Sequence, residues 1–317
     1  MRSYALQRLA TTIPILIGVS VVTFVLIKLV PGDPATAILG PAASNPTALA
    51  AVRQEMGLDK PLVVQYWIWL SHVAVGDLGQ SSQFRVPVMS VLPQKIANTA
   101  ILTVGSLAWA VILGLVIGIV GAVRRGSIAD RLLMFLALTS ASAPVFWIGI
   151  LLSYVFSIQL HLLPALGMTS STEQATPLTV LSHLILPSLA NSMISLAVIA
   201  RVVRSTLLDA LEQPYILAAR ARGMSMRRMV VRHAFRNVLP DAINITGLQV
   251  GYLFGGALFT EVVFSWPGIG SLIYSSIQAR DYVMLQGAVL VVSAVFIAVN
   301  FVSDAARVAL DPRAQPA

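Results

Sequence analysis

The sequence contains no cysteine and has few charged residues. Of its 317 residues, 11% are charged and 57% are hydrophobic, whereas a soluble globular chain has about 25% charged residues. The lack of cysteine excludes disulfides, thiolate nucleophiles and Cys-ligated metal sites. So little charge cannot cover a water-facing surface of this size, which excludes a soluble enzyme and a disordered chain. The sequence therefore predicts an integral membrane protein.

Motifs for nucleotide binding and catalysis are absent too. There is no G-x-x-x-x-G-K-[ST] to hold ATP phosphates, no H-E-x-x-H and no G-x-S-x-G. The 4 histidines are scattered. His161 and His183 flank one loop, where a metal site is an alternative, although two unrelated loop histidines are favoured. We predict no catalytic residue, no bound metal and no cofactor in this chain.

Six segments are apolar enough to cross a membrane, which takes about 20 residues. They are Ala10–Leu29, Ile96–Val123, Leu132–Gln159, Leu181–Ala200, Ala242–Thr260 and Tyr282–Ser303. The first is interpreted as an uncleaved signal-anchor, because its apolar stretch exceeds the roughly 7–15 residues of a signal peptide. The shorter segment Pro61–Gly76 contains Tyr66, Trp67 and Trp69, which predicts a position at the membrane surface.

The distribution of basic residues predicts the orientation of these spans. With the N-terminus inside, the inner segments hold 15 of the 21 Lys and Arg but only 6 of the 13 Asp and Glu, so that the inside carries +9 and the outside −1. The outer loop 160–180 has no Lys or Arg. By the positive-inside rule both termini are inside. The predicted fold class is an all-α polytopic membrane protein with six transmembrane helices.

The longest outer segment, residues 31–95, is longer than most simple connectors. Within it, Asn45 and Pro46 are typical of a helix N-terminus and Gly57 is typical of the stop, which predicts a short helix over 46–56. A solvated connector is the alternative. We favour a folded segment that covers the outer face of the membrane domain and is placed to touch a partner.

The inner segment 201–241 carries the clearest local signals. Pro214 is typical of the start of a short helix and Gly223 of its end. Ser225 is placed to cap a second helix, which we expect to reach about Asn237 before Leu239–Pro240 breaks it.

One face of the first short helix is predicted to dock against another surface. Helical spacing places Tyr215, Ala218, Ala219 and Arg222 on that face, where the two alanines allow close approach. Eight arginines lie between residues 201 and 236. The segment could hold anionic lipid headgroups, follow from the positive-inside rule alone, or dock a cytosolic partner. A DNA-binding helix-turn-helix is rejected, because the segment is tied to the bilayer at both ends.

Polar residues inside two spans are candidates for a translocation path. They are Asn191, Ser192 and Ser195 in span four, and Asn244, Thr246 and Gln249 in span five. Such groups face a cavity or hydrogen-bond between helices, and both interpretations stay open. Pro187 predicts a bend in span four. Gly114 and Gly118 predict close helix packing in span two.

The inner segment resembles the EAA loop of ABC importer permeases, closest to the dipeptide permease B type of the peptide/nickel family. The resemblance lies in residues 215–225 and 233–240. It implies that this loop holds the coupling helix that sits on an ATPase subunit. The residues assigned to that role are Tyr215, Ala218, Ala219, Arg220, Ala221, Arg222, Gly223, Leu239 and Pro240. Leu217 occupies the position where the family has glutamate, which puts a salt bridge from that position in doubt.

The resemblance extends over nearly the whole chain. Further matching stretches are Ile13-Pro14, 18–20, 31–34, 57–59, Gln65-Tyr66, 76–79, 144–149, 261–270 and 280–282. The predicted spans, read with this resemblance, divide the chain into a tail with the first span (1–30), an extracytoplasmic segment (31–95), a permease core (96–310) and a cytosolic tail (311–317). It implies a multi-pass protein of a bacterial or archaeal cytoplasmic membrane.

The resemblance also implies partners and a transported class. The partners are a second related permease chain, two cytosolic ATPase subunits of one or two kinds that bind ATP and magnesium, an extracytoplasmic binding protein and membrane lipids, without nucleic acid. Di- or oligopeptides are the implied substrates, with nickel, glutathione or another small solute as alternatives. A secondary transporter is disfavoured, because the predicted span interiors contain no ionisable group. A membrane hydrolase is disfavoured by the positions of the histidines, and a purely structural subunit stays open.

Overall fold

The computed structural model describes residues 2–29, 34–39, 44–55, 57–169 and 176–310, and these residues are mainly helical, with one isolated β-bridge between Gln80 and Pro87 and no strand. The helices are α1 (Arg2–Leu29), α2 (Pro34–Leu39), α3 (Pro46–Glu55), α4 (Leu62–Ala74), α5 (Val88–Val123), α6 (Ile128–Ser142), α7 (Val145–Gln159), α8 (Pro177–Leu211), α9 (Pro214–Ala221), α10 (Met226–Val263), α11 (Ile269–Gln278) and α12 (Tyr282–Leu310). Two stretches are π-helical, Ser153–Gln159 in α7 and Val230–Ala234 in α10.

Four of the described helices are long and apolar enough to cross a membrane. They are α5, α8, α10 and the part Tyr282–Ser303 of α12. The pair α6 and α7 qualifies as a fifth only if the two together form one span. In α1, the apolar stretch within the described side chains is Thr12–Val25, which is shorter than the roughly 20 residues of a complete span. Length and composition thus support four or five spans, and the predicted sixth stays a prediction.

The predicted span Leu132–Gln159 is not one continuous helix, because α6 and α7 meet at a bend of 112°; whether the pair crosses the membrane stays a prediction. Pro144 explains the break, since its ring disfavours helical geometry at the preceding residue. Ala143 is accordingly extended, with φ −81° and ψ 145°. Pro144 then occupies the N-cap position of the new helix α7, without a side-chain capping hydrogen bond.

The short helix α4 packs against α1. Tyr66 and Trp69 lie with their ring centroids 5.5 and 5.8 Å from that of Phe24. The Tyr66 hydroxyl is 2.8 Å from the Ser20 hydroxyl. The three aromatic residues on which the predicted surface position was based have different environments. Tyr66 and Trp69 pack α4 against α1, whereas Trp67 is exposed.

The predicted helix over 46–56 is confirmed by α3. The Asn45 side-chain oxygen accepts a hydrogen bond from the backbone N–H of Thr47 at 3.1 Å, as an N-cap does. Gly57 follows with φ +63°, a left-handed conformation that favours glycine.

The chain forms two compact units. The first comprises residues 1–98 and 268–297, and the second comprises 99–267 and 298–317. These units cut across the four segments predicted from the sequence. In the first unit, the core is formed by Leu78, Val88, Leu92, Ile269, Leu272, Met284 and Ala288.

The first unit contains a buried carboxylate, Asp281, at the start of α12. Asp281 accepts hydrogen bonds from the Ser81 hydroxyl, from the backbone N–H of Gln83 and from the backbone N–H of Met284. One side chain thus caps α12 and fixes the loop that precedes α5. This contact joins the matching stretch 280–282 to the loop that directly follows the stretch 76–79.

The second unit is organised around α8. Its largest cluster joins the C-terminal half of α8 to α9 and α10 through residues including Val203, Leu207, Ile216, Ala219 and Val230. Helix α8 continues through Pro187 as one element. The short helix α9 therefore shares a hydrophobic core with the ends of two long helices.

Candidate functional site

The short helix α9 is bounded as the sequence predicts. Pro214 occupies its first turn, where the missing N–H of proline costs no helical hydrogen bond. Gly223 ends it with φ +78°. The Gly223 N–H donates to the Arg220 carbonyl at 3.0 Å, and the Met224 N–H donates to the Ala219 carbonyl at 3.2 Å. Two carbonyls at the end of α9 are thereby satisfied.

The element that follows differs from the prediction in two respects. Ser225 precedes α10, but its side chain makes no capping hydrogen bond. The expected break at Leu239–Pro240 is wrong, because α10 runs from Met226 to Val263 with Pro240 inside it. A proline in a helix removes one backbone hydrogen bond, and a long helix packed on its neighbours tolerates that loss.

The two sides of α9 have different environments. Ile216 and Ala219 are 2% and 3% exposed and pack into the core of the second unit. Leu217 is 54% exposed, and Ala218 and Ala221 are exposed beside it. The spacing of Pro214, Leu217, Ala218 and Ala221 makes one continuous outward face. We call these four residues the α9 outer face.

The predicted docking face has to be corrected accordingly. Ala219 was expected on the same face as Ala218, but the structure buries Ala219 and exposes Ala218. Tyr215 and Arg222 are exposed at the side of the helix. Asn237 of α10 donates a hydrogen bond to the Tyr215 hydroxyl. Tyr215 therefore ties α9 to α10.

Exposed arginines lie close in sequence to the α9 outer face. Six exposed arginines belong to α9, to the turn after it and to the first turns of α10: Arg220, Arg222, Arg227, Arg228, Arg232 and Arg236. The sequence from 213 to 240 contains no acidic residue. An apolar strip close to arginines suits a partner with an apolar groove and acidic residues beside it.

The predicted path residues in α8 make hydrogen bonds within the chain. The Asn191 amide donates to the Ser106 hydroxyl at 3.1 Å and to the Leu253 carbonyl at 3.2 Å. The Ser195 hydroxyl donates to the Gln249 side chain at 2.8 Å. The side chains of Asn191, Ser106, Ser195 and Gln249 are all buried. They connect α8 with α5 and α10.

The remaining path candidates divide into two environments. Ser192 is buried and donates to the Leu189 carbonyl of its own helix at 2.7 Å. Asn244 and Thr246 of α10 are half-buried. These two are the predicted path residues that keep exposed surface in this chain.

The glycine pattern in α5 is confirmed as a close-packing site. A Cβ atom on Gly114 would lie 2.8 Å from the Ile199 side chain, and one on Gly118 would lie 2.8 Å from Val203 and from the Ala200 carbonyl. Real side chains do not approach so closely. Glycine at both positions therefore lets α5 touch α8 directly.

The histidines do not come together as a metal site. The His183 ring nitrogen Nδ1 lies 2.8 Å from the Thr179 carbonyl of the same helix. Within the part of the chain that the structure describes, no three His, Asp or Glu side chains are grouped so as to hold a metal ion.

Comparison with known families identifies the chain. The profile described as binding-protein-dependent transport system inner membrane component matches residues 110–316, and the profile of its N-terminal region matches residues 1–102. The chain belongs to this family. It is therefore the permease of an ABC importer of the peptide family, a multi-pass membrane component that works with an ATPase and a substrate-binding protein. The family is a membrane component and not an enzyme.

Two relatives are similar over the full length of this permease. The dipeptide transport system permease protein DppB of Alkalihalophilus pseudofirmus is 38% identical over 99% of both chains. The glutathione transport system permease protein GsiC of Salmonella paratyphi A is 41% identical over 98% of both chains.

A solved structure shares the fold of the permease. It is the MetNI methionine ABC transporter in an inward-facing conformation, with a TM-score of 0.56 and 17% identity over 70% of this chain and 97% of the other. At this identity the likeness supports the helical fold alone.

Proposed function

We propose that this permease pairs with a second, related permease chain to form the path by which an ATP-driven importer takes up short peptides. The observation that carries the proposal is the α9 outer face. It presents an exposed apolar strip among arginines, in a chain similar over its full length to a dipeptide permease and a glutathione permease.

The proposed arrangement has six spans with both termini in the cytosol. The excess of Lys and Arg in the inner segments supports it. Residues 31–95 then lie on the outer side, where a binding protein delivers the substrate. Helix α9 and the start of α10 lie in the cytosol. Since the named relatives come from bacteria, we place the permease in a bacterial or archaeal cytoplasmic membrane.

In the proposed mechanism, two ATPase subunits, identical or of two kinds, dock on the α9 helices of the two permease chains. They bind ATP and magnesium, and their closure moves α9. Because Ile216 and Ala219 share a core with Leu207 of α8 and Val230 of α10, the movement of α9 displaces the inner ends of both long helices. The path then alternates between its outward-facing and inward-facing states. ATP can bias these states only through its different affinity for each.

The proposed assignment of coupling residues follows the two sides of α9. Ala218 and Ala221 contact the ATPase subunit directly, and Arg220 and Arg222 face its acidic residues. Ala219 and Gly223 act by placing the helix. Leu239 and Pro240 lie exposed further along α10, where they flank the dock.

The proposed substrates are dipeptides, with glutathione as the second candidate because of the GsiC relative. Nickel and other small solutes remain alternative cargo of the same machinery. Asn191, Ser195 and Gln249 are buried, whereas Asn244 and Thr246 keep exposed surface, and we therefore assign path contacts to these last two residues. Selectivity then depends chiefly on the binding protein.

The test is uptake by the complete complex in proteoliposomes. The permease is assembled with a second permease, ATPase subunits and a binding protein of the same system, and uptake of a radiolabelled dipeptide, radiolabelled glutathione and Ni²⁺ is compared. We expect uptake of one peptide probe that requires both ATP and the binding protein. Uptake that continues without ATP, or ATP hydrolysis unaffected by the loaded binding protein, would contradict the proposal.

A further inference from the structure

An ion pair between a buried carboxylate and a partly buried arginine joins α6 to α8 in the second unit; the Arg204 side chain is 28% exposed. Asp130 is 4% exposed. Its Oδ1 accepts from Arg204 Nε at 2.8 Å and its Oδ2 accepts from Arg204 Nη2 at 2.9 Å. This bidentate geometry fixes both the distance and the mutual orientation of the two side chains.

The same carboxylate fixes the turn between α5 and α6. Asp130 Oδ2 also accepts the backbone N–H of Gly126 at 2.9 Å. The Ser127 hydroxyl accepts the Asp130 backbone N–H at 3.2 Å and so caps α6. A Cβ on Gly121 of α5 would lie 3.1 Å from both Asp130 Oδ1 and the Arg204 side chain. Three helices thus meet around one ion pair.

The pair lies close in sequence to the coupling helix. Arg204 is about two turns before Leu211, where α8 ends, and α9 begins at Pro214. Between them, Leu207 and Ala210 pack in the core that also holds Ile216 of α9. A displacement of α9 is therefore transmitted to the part of α8 that holds Arg204.

A partly buried ion pair is weak evidence for stability, because removing the Asp130 carboxylate and most of the Arg204 side chain from water is costly. Its firmest physical effect here is geometric: two parallel hydrogen bonds allow little change between α6 and α8. A second pair, Arg125 with Glu212, has an N–O distance of 2.6 Å, but its side chains are 62% and 66% exposed. Exposed ion pairs of this kind contribute little to folding stability. It is therefore a natural control.

We infer that Asp130 and Arg204 are positioning residues for coupling: they clamp the start of α6 to α8, so that α6 moves with α8 when the ATPase subunits displace α9. The inference rests on the proposed function of α9. By this inference the Asp130–Arg204 pair, which lies outside the EAA-like loop, transfers the movement of α9 from α8 to α6.

The test compares two matched double variants in the complete complex. Asp130→Asn with Arg204→Met removes the clamp without leaving a buried charge, and the asparagine oxygen can still accept from Gly126. Arg125→Met with Glu212→Gln makes equivalent changes in the exposed pair. The readout is dipeptide uptake per ATP hydrolysed. We expect the clamp variant to lose at least about fivefold, the lower end of typical coupling between sites, and the control to match the wild type.

A second readout reports on the clamp itself. Because the chain has no cysteine, spin labels can be attached at Ile128→Cys in α6 and Ser205→Cys in α8, both exposed positions. The distance between the labels should be the same without nucleotide and with ATP trapped in the wild type. It should depend on nucleotide in the clamp variant. An unchanged distance together with wild-type uptake per ATP would overturn the inference.

If the clamp variant does not assemble, Arg204→Lys tests the inference instead. Lysine keeps the charge but replaces the guanidinium fork with a point charge. An assembled lysine variant with reduced uptake per ATP supports the clamp, whereas wild-type uptake, or failure to assemble, shows a role in folding alone. If the wild-type complex takes up no probe, the proposed function fails, and the label distances still decide the inference.

Discussion

At the scale of single residues, the adjacent alanines of α9 have opposite environments. Ala219 is buried against the second unit's core, and Ala218 belongs to the α9 outer face. The residue types are identical, so a difference between matched substitutions reports on the environment alone. This separates docking of a partner from placement of the helix.

Ala219→Leu is expected to destabilise the permease, because added side-chain volume in a packed core typically costs about 1–3 kcal/mol. Ala218→Leu is expected to leave stability unchanged and to weaken binding of the ATPase subunit. Thermal unfolding of the purified permease and co-purification with the ATPase measure the two effects. Reversal of the two phenotypes would mean that the α9 outer face is not the dock.

Buried polar residues in α8 allow a second comparison at this scale. Ser195 bonds to Gln249 of α10, whereas Ser192 bonds to its own helix. Only the first hydrogen bond connects two helices. A role in substrate passage and a role in packing therefore predict different consequences for these two serines.

Ser195→Ala is expected to lower stability by about 0.6 kcal/mol, the average for a hydrogen bond between membrane helices. Ser192→Ala should change it less. The dipeptide concentration for half-maximal uptake should stay the same in both variants. A raised concentration for Ser195→Ala without any loss of thermal stability would instead assign Ser195 to the path.

At the scale of helices, the signals that predicted α9 were proline and glycine at its two ends. Both act locally, so the sequence alone located the helix. Pro240 has the same chemistry as Pro214, yet α10 continues through it. Pro144, in contrast, ends α6 and starts α7. Tertiary packing decides whether an internal proline breaks a helix, and one sequence does not reveal that packing.

Contacts between distant helices were predictable only in part. Gly114 and Gly118 predicted close packing in α5, because small residues four positions apart make a shallow groove. The partner of that groove, α8, could not be named from the sequence. The pairing of Asp130 with Arg204 was missed for the same reason: the two residues lie 74 positions apart, and neither belongs to a recognisable motif.

Gly118→Ala is expected to force α5 away from α8, because the new Cβ would lie 2.8 Å from the Ala200 carbonyl and from Val203. Gly18→Ala in α1 is the control, since nothing lies within 4 Å of its Cβ position. We expect Gly118→Ala to lower the unfolding temperature of the purified permease. Alanine is up to about 1 kcal/mol better than glycine in a helix, so Gly18→Ala should leave it equal or slightly higher. Equal behaviour of the two variants would contradict the close contact.

At the scale of the whole molecule, the charged residues are unevenly distributed along the chain. The few charges are concentrated in the predicted inner segments, and six exposed arginines lie close in sequence to the α9 outer face. The bend of 112° between α6 and α7 allows two topologies, in which the pair either crosses the membrane or re-enters on the same side. If the pair crosses the membrane, the loop after α7 lies outside. If it re-enters, that loop lies inside, and every later segment changes side.

The absence of cysteine gives a direct test of topology, because single cysteines can be introduced without removing any. Gln83→Cys and Leu162→Cys should react with a membrane-impermeant maleimide added to intact cells, since both are predicted to lie outside. Arg124→Cys and Arg227→Cys should react only after the membrane is opened. All four positions are exposed, so differences in labelling report on the side of the membrane. Protection of Leu162→Cys with labelling of Arg227→Cys in intact cells would show that α6 and α7 re-enter, and would place α9 on the side opposite to the ATPase subunits.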